Sequence, residues 1–189
     1  CEPLAGPAQA ARPLVVSIAA GIPVARIQQW LGGELPVVRC MPNTPALLGA
    51  GVTGLYAAPQ VDAAGRQRAE QLPASAGATV WVAGESLVDA VTAVSGSGPA
   101  YAFLLAEAME AAAVAEGLPA ADARSLVVHT LLGAGRMLAE SGQAPAELRR
   151  QVTSPGGTTQ AAIETFQAGG FEALVGQAAL AYVQPGTVV

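Results

Sequence analysis

The sequence predicts an α/β layer followed by an all-α half. Two observations carry this. As far as about Glu85, short apolar runs alternate with amphipathic stretches, the pattern of strands joined by helices. Beyond it come long alanine-rich stretches that carry no strand signal.

Leu14 to Ile18 is a short apolar run suited to a buried parallel strand. Ala19-Ala20-Gly21 ends it, and Ile22 to Leu31 has the spacing of a short amphipathic helix. Pro36 to Met41 is a second strand, stopped by the turn signal Pro42-Asn43-Thr44-Pro45. Gly51 to Ala57 and Thr79 to Val82 are a third and a fourth strand, with a helix between them from Val61 to Ala76. Pro73 interrupts that helix, at an expected cost of about 3 kcal/mol if it is interior. Leu87 to Val94 is helical, and Ser95-Gly96-Ser97-Gly98-Pro99 breaks it. Ala100 to Glu116 is a long helix, apolar on nearly all faces, a pattern that requires burial all round. Gly117 ends it, and Pro119 starts the next helix, which runs to about Ser141. Pro145 to Gln151, Thr158 to Gln167 and Gly170 to Val183 complete the helical half. The change of character near Ser95 divides the chain into 1–94 and 95–189.

The chain has 189 residues, 52% of them hydrophobic and 12% charged, enough for a sizeable core without disulfides. So greasy a helical half is expected to bury surface against a second copy of itself. The net charge is −5 and no basic stripe is visible, which argues against a nucleic-acid partner. No span is apolar enough for a membrane helix once Pro23, Arg26 and the glycines are counted. Cys1 and Cys40 lie far apart without CxxC spacing. They give neither a disulfide framework nor a zinc site, which fits a reducing cytoplasm. The start, Cys1-Glu-Pro-Leu-Ala-Gly, lacks the charged and apolar regions of a signal peptide and reads as the interior of something longer.

The loop with most chemical content is Val152-Thr153-Ser154-Pro155-Gly156-Gly157-Thr158-Thr159, at the mouth of a helix. Its glycines let backbone N–H groups approach a ligand, the helix N-terminus favours negative charge, and the hydroxyls add donors. Such a loop suits a small anion, most simply a carboxylate. The plainer reading is a helix cap with Thr158 or Ser154 as N-cap. From local chemistry alone the two are evenly matched.

Other motifs favour structural readings. Gly49-Ala50-Gly51-Val52-Thr53-Gly54 fits GxGxxG, but that fingerprint needs a strand before it and a helix after it. Here a turn precedes and a strand-like run follows, so a loop and strand start is expected. Gly133 and Gly135 read as a close helix–helix contact. His129 reads as structural and Cys40 as a small packed hydrophobe. Ser95-Gly-Ser-Gly is not a GxSxG nucleophile elbow, and no carboxylate pair or metal cluster sits near the threonine loop.

Four stretches taken in order resemble the pyrroline-5-carboxylate reductase family. They are Val16-Ser-Ile-Ala-Ala-Gly21, Arg39-Cys-Met-Pro-Asn-Thr-Pro45, Ala93-Val-Ser-Gly-Ser-Gly-Pro-Ala-Tyr101 and the run from Pro145 to Gln167. The resemblance implies the C-terminal part of a Rossmann domain over 1–94 and a helical dimerisation and substrate-binding domain over 95–189. It implies hydride transfer from NADPH or NADH to the C=N carbon of 1-pyrroline-5-carboxylate, giving L-proline, in a homodimer that can form larger rings. Backbone N–H groups of Gly157, Thr158 and Thr159 would hold the substrate carboxylate, with Val152, Ser154 and Gly156 in the same pocket. The Thr159 hydroxyl would reach the ring nitrogen. Ala19, Ala20 and Gly21 would touch the cofactor, Asn43 would sit near its nicotinamide end, and Ser97 and Gly98 would shape the start of the buried helix.

The chain departs from the family in two places. It has no GxGxxG turn in valid context, and its end is halted by Pro185-Gly186 and finishes apolar where the family has a polar tail. Two readings therefore stand: an oxidoreductase of which this chain is a C-terminal portion, and a non-catalytic dimerisation module of the same family. A related imine or ketone reductase is a third, disfavoured by the Ser-Pro-Gly-Gly-Thr-Thr loop.

Overall fold

The computed structural model describes residues 2–181; Cys1, the Pro185-Gly186 stop and the predicted helix end at Val183 lie outside them. The chain clusters into two compact units, one built on Cys1–Pro99 and one on Ala100–Gln177.

The first unit is a four-stranded sheet in the order β1 (Val15–Ser17), β2 (Val37–Met41), β3 (Gly51–Ala57), β4 (Gly77–Trp81). Helix α1 (Ala5–Ala11) precedes β1, α2 (Val24–Trp30) joins β1 to β2, and α3 (Ala63–Ala74) joins β3 to β4. Each helical crossover makes its two strands parallel. Between β2 and β3 there is only the turn at Pro42 and a 3₁₀ segment, Thr44–Leu48. That connection is too short for a crossover, so β3 runs antiparallel to β2 and the sheet is mixed. The alternation of strands and helices did not announce this reversal.

The core is apolar and central. Leu35, Val37, Val38 and Leu55 are fully buried, with Val24, Ile27 and Leu31 of α2 packed against the sheet. Strand β2 is buried along four of its five residues, as expected of an interior strand. Within it Arg39 is 5% exposed, and its Nη1 donates to Glu85 Oε1 at 3.0 Å. Pro73 falls in the last turn of α3, where it costs one backbone bond and leaves the body of the helix intact.

After β4, helix α4 (Leu87–Val91) lies so close to β3 that a Cβ on Gly54 would come within 2.5 Å of Val91 Cγ1. The expected break at Ser95 interrupts the regular α-helix without ending the helical path. The chain instead winds through one π turn, Thr92–Gly96, closed by Ser97 N–H donating to Thr92 O at 2.8 Å. It then continues into α5 (Gly98–Ala115). Ser and Gly were read as breakers, yet their small side chains are what a wide turn against Met41 tolerates: a Cβ on Gly96 would lie 2.8 Å from Met41 Cε.

The second unit is helical: the rest of α5, α6 (Ala120–Glu140), α7 (Pro145–Gln151), α8 (Thr158–Ala168) and α9 (Phe171–Ala181) as far as Gln177. The expectation that α5 is buried all round fails within this chain. No residue of α5 is buried, and Phe103 and Leu104 are 62% and 67% exposed. Likewise, nothing lies within 4 Å of a Cβ placed on Gly133 or Gly135. These apolar and small-residue faces have no cover from this chain's described residues.

Cys40 is buried in β2, and desolvation pushes its thiol from 9.0 up to about 11. The unfolded chain releases this proton near pH 9 and the folded chain holds it to about pH 11. Stability should therefore fall as pH rises through that window, by at most about 1.4 kcal/mol per unit. Urea midpoints of the protein and of Cys40→Ala should diverge between pH 8 and pH 10.5, the variant falling less. Peptide mapping after thiol labelling at pH 8 should find Cys40 unmodified until the protein is unfolded.

Candidate functional site

Helix α7 begins with Pro145 and carries Arg149 and Arg150 in its last turn, charges that complement its carbonyl end. It stops at Val152, which is 60% exposed. The chain turns with Gly156 at φ 69°, a left-handed conformation that disfavours any residue with a Cβ. Gly157 N–H donates to Ser154 O at 3.0 Å, closing the turn, and Gly157 itself occupies the N-cap position of α8. Neither Thr158 nor Ser154 caps the helix through its side chain, contrary to the plainer sequence reading.

Gln160 instead ties down the turn ahead of the helix: its Oε1 accepts Gly156 N–H at 2.8 Å while its Nε2 donates to Glu164 Oε1 at 2.7 Å. This is the third residue of the helix reaching back, one residue beyond the N–H that a capping box would engage. The signal was present in the sequence as a glutamine three places after the cap.

The result is a fork of donors. The first N–H groups of an α-helix have no partner within it. Those of Thr158, Thr159 and Gln160 have none among the described residues, and Thr158 and Thr159 are exposed. The Thr159 and Ser154 hydroxyls also have no hydrogen-bond partner among the described residues. Gly157 N–H, expected to face an anion with Thr158 and Thr159, is already committed to Ser154 O. The set of open donors therefore begins at Thr158. It suits a carboxylate, which accepts from neighbouring N–H groups and is favoured by the positive end of an eleven-residue helix.

In the first unit, Ala19, Ala20 and Gly21 form an exposed turn just past the end of β1. Ala19 N–H donates to Ser17 Oγ at 3.3 Å, and Gly21 is left-handed at φ 70°. The N–H groups of Ala20 and Gly21 have no partner among the described residues. A turn without bulky side chains and with open donors fits a flat polar ligand lying across the strand end.

Asn43 is engaged at both ends of its amide: Nδ2 donates to Ser95 O at 3.1 Å and Oδ1 accepts Val52 N–H at 3.0 Å. It ties the β2–β3 turn to β3 and to the π turn, so that Ser97 and Gly98 follow directly from a segment it holds. The GxGxxG run is spread over the 3₁₀ cap at Gly49 and strand β3, which does not fit a pyrophosphate seat. His129 is exposed, with Nδ1 2.8 Å from Ser125 O. Among the described residues no helix is long and apolar enough to cross a membrane, and no three His, Cys, Asp or Glu side chains gather as metal ligands.

Residues 85–186 match the family model described as pyrroline-5-carboxylate reductase dimerisation. The chain is 57% identical to the pyrroline-5-carboxylate reductase of Pseudomonas aeruginosa over 178 residues, 94% of this chain and 65% of that protein. It is 45% identical to the enzyme of the same name from Corynebacterium melassecola, over 90% of this chain and 63% of that one. The chain thus spans a little under two thirds of the length of these curated relatives. Among solved structures, the Coxiella burnetii pyrroline-5-carboxylate reductase is similar at a TM-score of 0.91 and 42% identity, over 97% of this chain and 68% of that one. The Plasmodium falciparum pyrroline carboxylate reductase with NADP bound is similar at 0.83 and 29%, over 92% and 68%.

Replacing Gln160 with Ala removes the acceptor that holds Gly156 N–H. Amide exchange at Gly156 should quicken by roughly fivefold to tenfold and the protein should lose about 1 kcal/mol, the size of one hydrogen bond, while Gln160→Glu keeps the acceptor for Gly156 N–H but loses the bond to Glu164.

Proposed function

Because the chain belongs to the pyrroline-5-carboxylate reductase family, we propose that its protein reduces 1-pyrroline-5-carboxylate to L-proline with NADPH or NADH. The observation that carries this reading is the fork of unpartnered N–H groups at Thr158, Thr159 and Gln160 beside the open hydroxyl of Thr159.

The substrate carboxylate accepts from Thr158, Thr159 and Gln160 N–H, with Gly156 and Gly157 leaving room for it and Val152 and Ser154 lining the pocket. Held by its carboxylate, the ring presents its nitrogen to the Thr159 hydroxyl. That hydroxyl hydrogen-bonds the nitrogen as it gains electron density, and water delivers the proton. Nicotinamide, when bound, supplies the hydride for the C=N carbon. Ala19, Ala20 and Gly21 are the cofactor-facing turn, and Asn43 sets the adjoining turn at its nicotinamide end. No protein nucleophile is required, and orientation alone is worth several kcal/mol.

We assign 1–94 to the dinucleotide-binding domain and 95–189 to the dimerisation and substrate domain. The uncovered apolar face of α5 supports a homodimer, with larger rings as a further step. The cytoplasm is the compartment this chemistry fits. A non-catalytic dimerisation module of the same family is the second reading.

NADPH oxidation driven by 1-pyrroline-5-carboxylate, measured in the protein expressed from its complete reading frame, separates the two. Thr159→Val should lower kcat/KM for the imine by roughly 10- to 100-fold, the scale of one lost hydrogen bond to a developing charge, with KM for NADPH little changed. Thr159→Ser should retain most of the rate. Equal activity in Thr159→Val would remove the hydroxyl from the mechanism, and an inactive wild type would favour the dimerisation module.

A further inference from the structure

Helix α2 lacks a local cap. Pro23 in the N-cap position has no side-chain acceptor, and the first turn carries no acidic residue. Val24 N–H is satisfied from 61 residues away, by Glu85 Oε1 at 2.6 Å. The same oxygen accepts Arg39 Nη1 at 3.0 Å, so one carboxylate caps α2 and neutralises a guanidinium buried in the sheet.

Arg39 controls both ends of the turn between β1 and α2. Its backbone is the ladder partner of Ser17, the last residue of β1. Its side chain reaches, through Glu85, the first residue of α2. Between these anchors the turn has little of its own to hold it. Ala19, Ala20 and Gly21 offer no side-chain donors or acceptors, and the 3.3 Å bond from Ala19 N–H to Ser17 Oγ is a weak one.

We propose that Arg39 and Glu85 are positioning residues for the nicotinamide cofactor, acting by fixing the two ends of the Ile18-to-Pro23 turn. The inference rests on the reading that this turn touches the cofactor. Neither residue meets the cofactor or the imine itself. Their effect is to keep the open N–H groups of Ala20 and Gly21 at one separation from the strand end, so that cofactor binding does not have to order the turn.

The test uses the protein from its complete reading frame and compares wild type with Glu85→Gln, Glu85→Ala and Arg39→Lys. Glu85→Ala should raise KM for NADPH roughly tenfold, the scale of one charge-assisted hydrogen bond, with KM for the imine within about twofold. Glu85→Gln, which keeps an acceptor for Val24 N–H, and Arg39→Lys, which keeps a charge, should fall between. Amide exchange should quicken in residues 18–24 and stay unchanged in β3. A cofactor KM that does not move in Glu85→Gln or Arg39→Lys while exchange at Val24 quickens would overturn the inference alone. So would a rise in both KM values together, the mark of a merely structural pair. If Glu85→Ala does not fold, the other two variants carry the same comparison. A wild type that does not oxidise NADPH with the imine would overturn the underlying reading, and this inference with it.

Discussion

Strand β2 is closed in on both sides, and the guanidinium it carries there has to meet an anion. A charge so far out of water is tolerated only when paired and hydrogen-bonded. Glu85 supplies the anion, and much else follows from where it must stand. It fixes the loop ahead of α4, and with it the approach of α4 to β3, where only a glycine at position 54 leaves room for Val91. It also caps α2. From α4 the chain passes into the π turn, whose Ser95 carbonyl is held by Asn43 from the β2–β3 turn. One ion pair and one amide thus lock together the three segments that present the small-residue turns of the first unit.

Much of this was legible in the sequence, and the failures have physical causes. Apolar runs place the four strands within a residue or two, because burial in a sheet leaves a local signature. Strand direction does not, because it is set by the length of the connection: the nine residues from Pro42 to Ala50 permit only an antiparallel return. The serine–glycine run before Pro99 reads as a break, and the structure makes it a π turn and a bend at Ser97. Small residues mark both breaks and tight contacts, and only the closeness of Met41 decides between them. The partnership of Arg39 and Glu85 spans 46 residues and has no periodicity to betray it.

The helical half has to be read with the expected second copy in mind. A helix apolar on nearly all faces was expected to be buried, but α5 has no buried residue in this chain. Hydrophobic pattern reports the demand for burial and says nothing of which molecule meets it. At the threonine loop the sequence shows the glycines and hydroxyls but not which N–H groups the turn itself uses. Gly157 closes the turn, so the open donors start at Thr158. The turn is held by a glutamine whose role depends on the helix starting where it does.

The central claim is that the open N–H groups of Thr158, Thr159 and Gln160 hold a carboxylate. Amide chemical shifts of Thr158, Thr159 and Gln160, followed while L-proline is titrated into the protein, test it directly. The account predicts that all three move with L-proline and stay in place with pyrrolidine, the same ring without its carboxylate. Shifts that follow pyrrolidine equally, or that bypass these three amides, would contradict it.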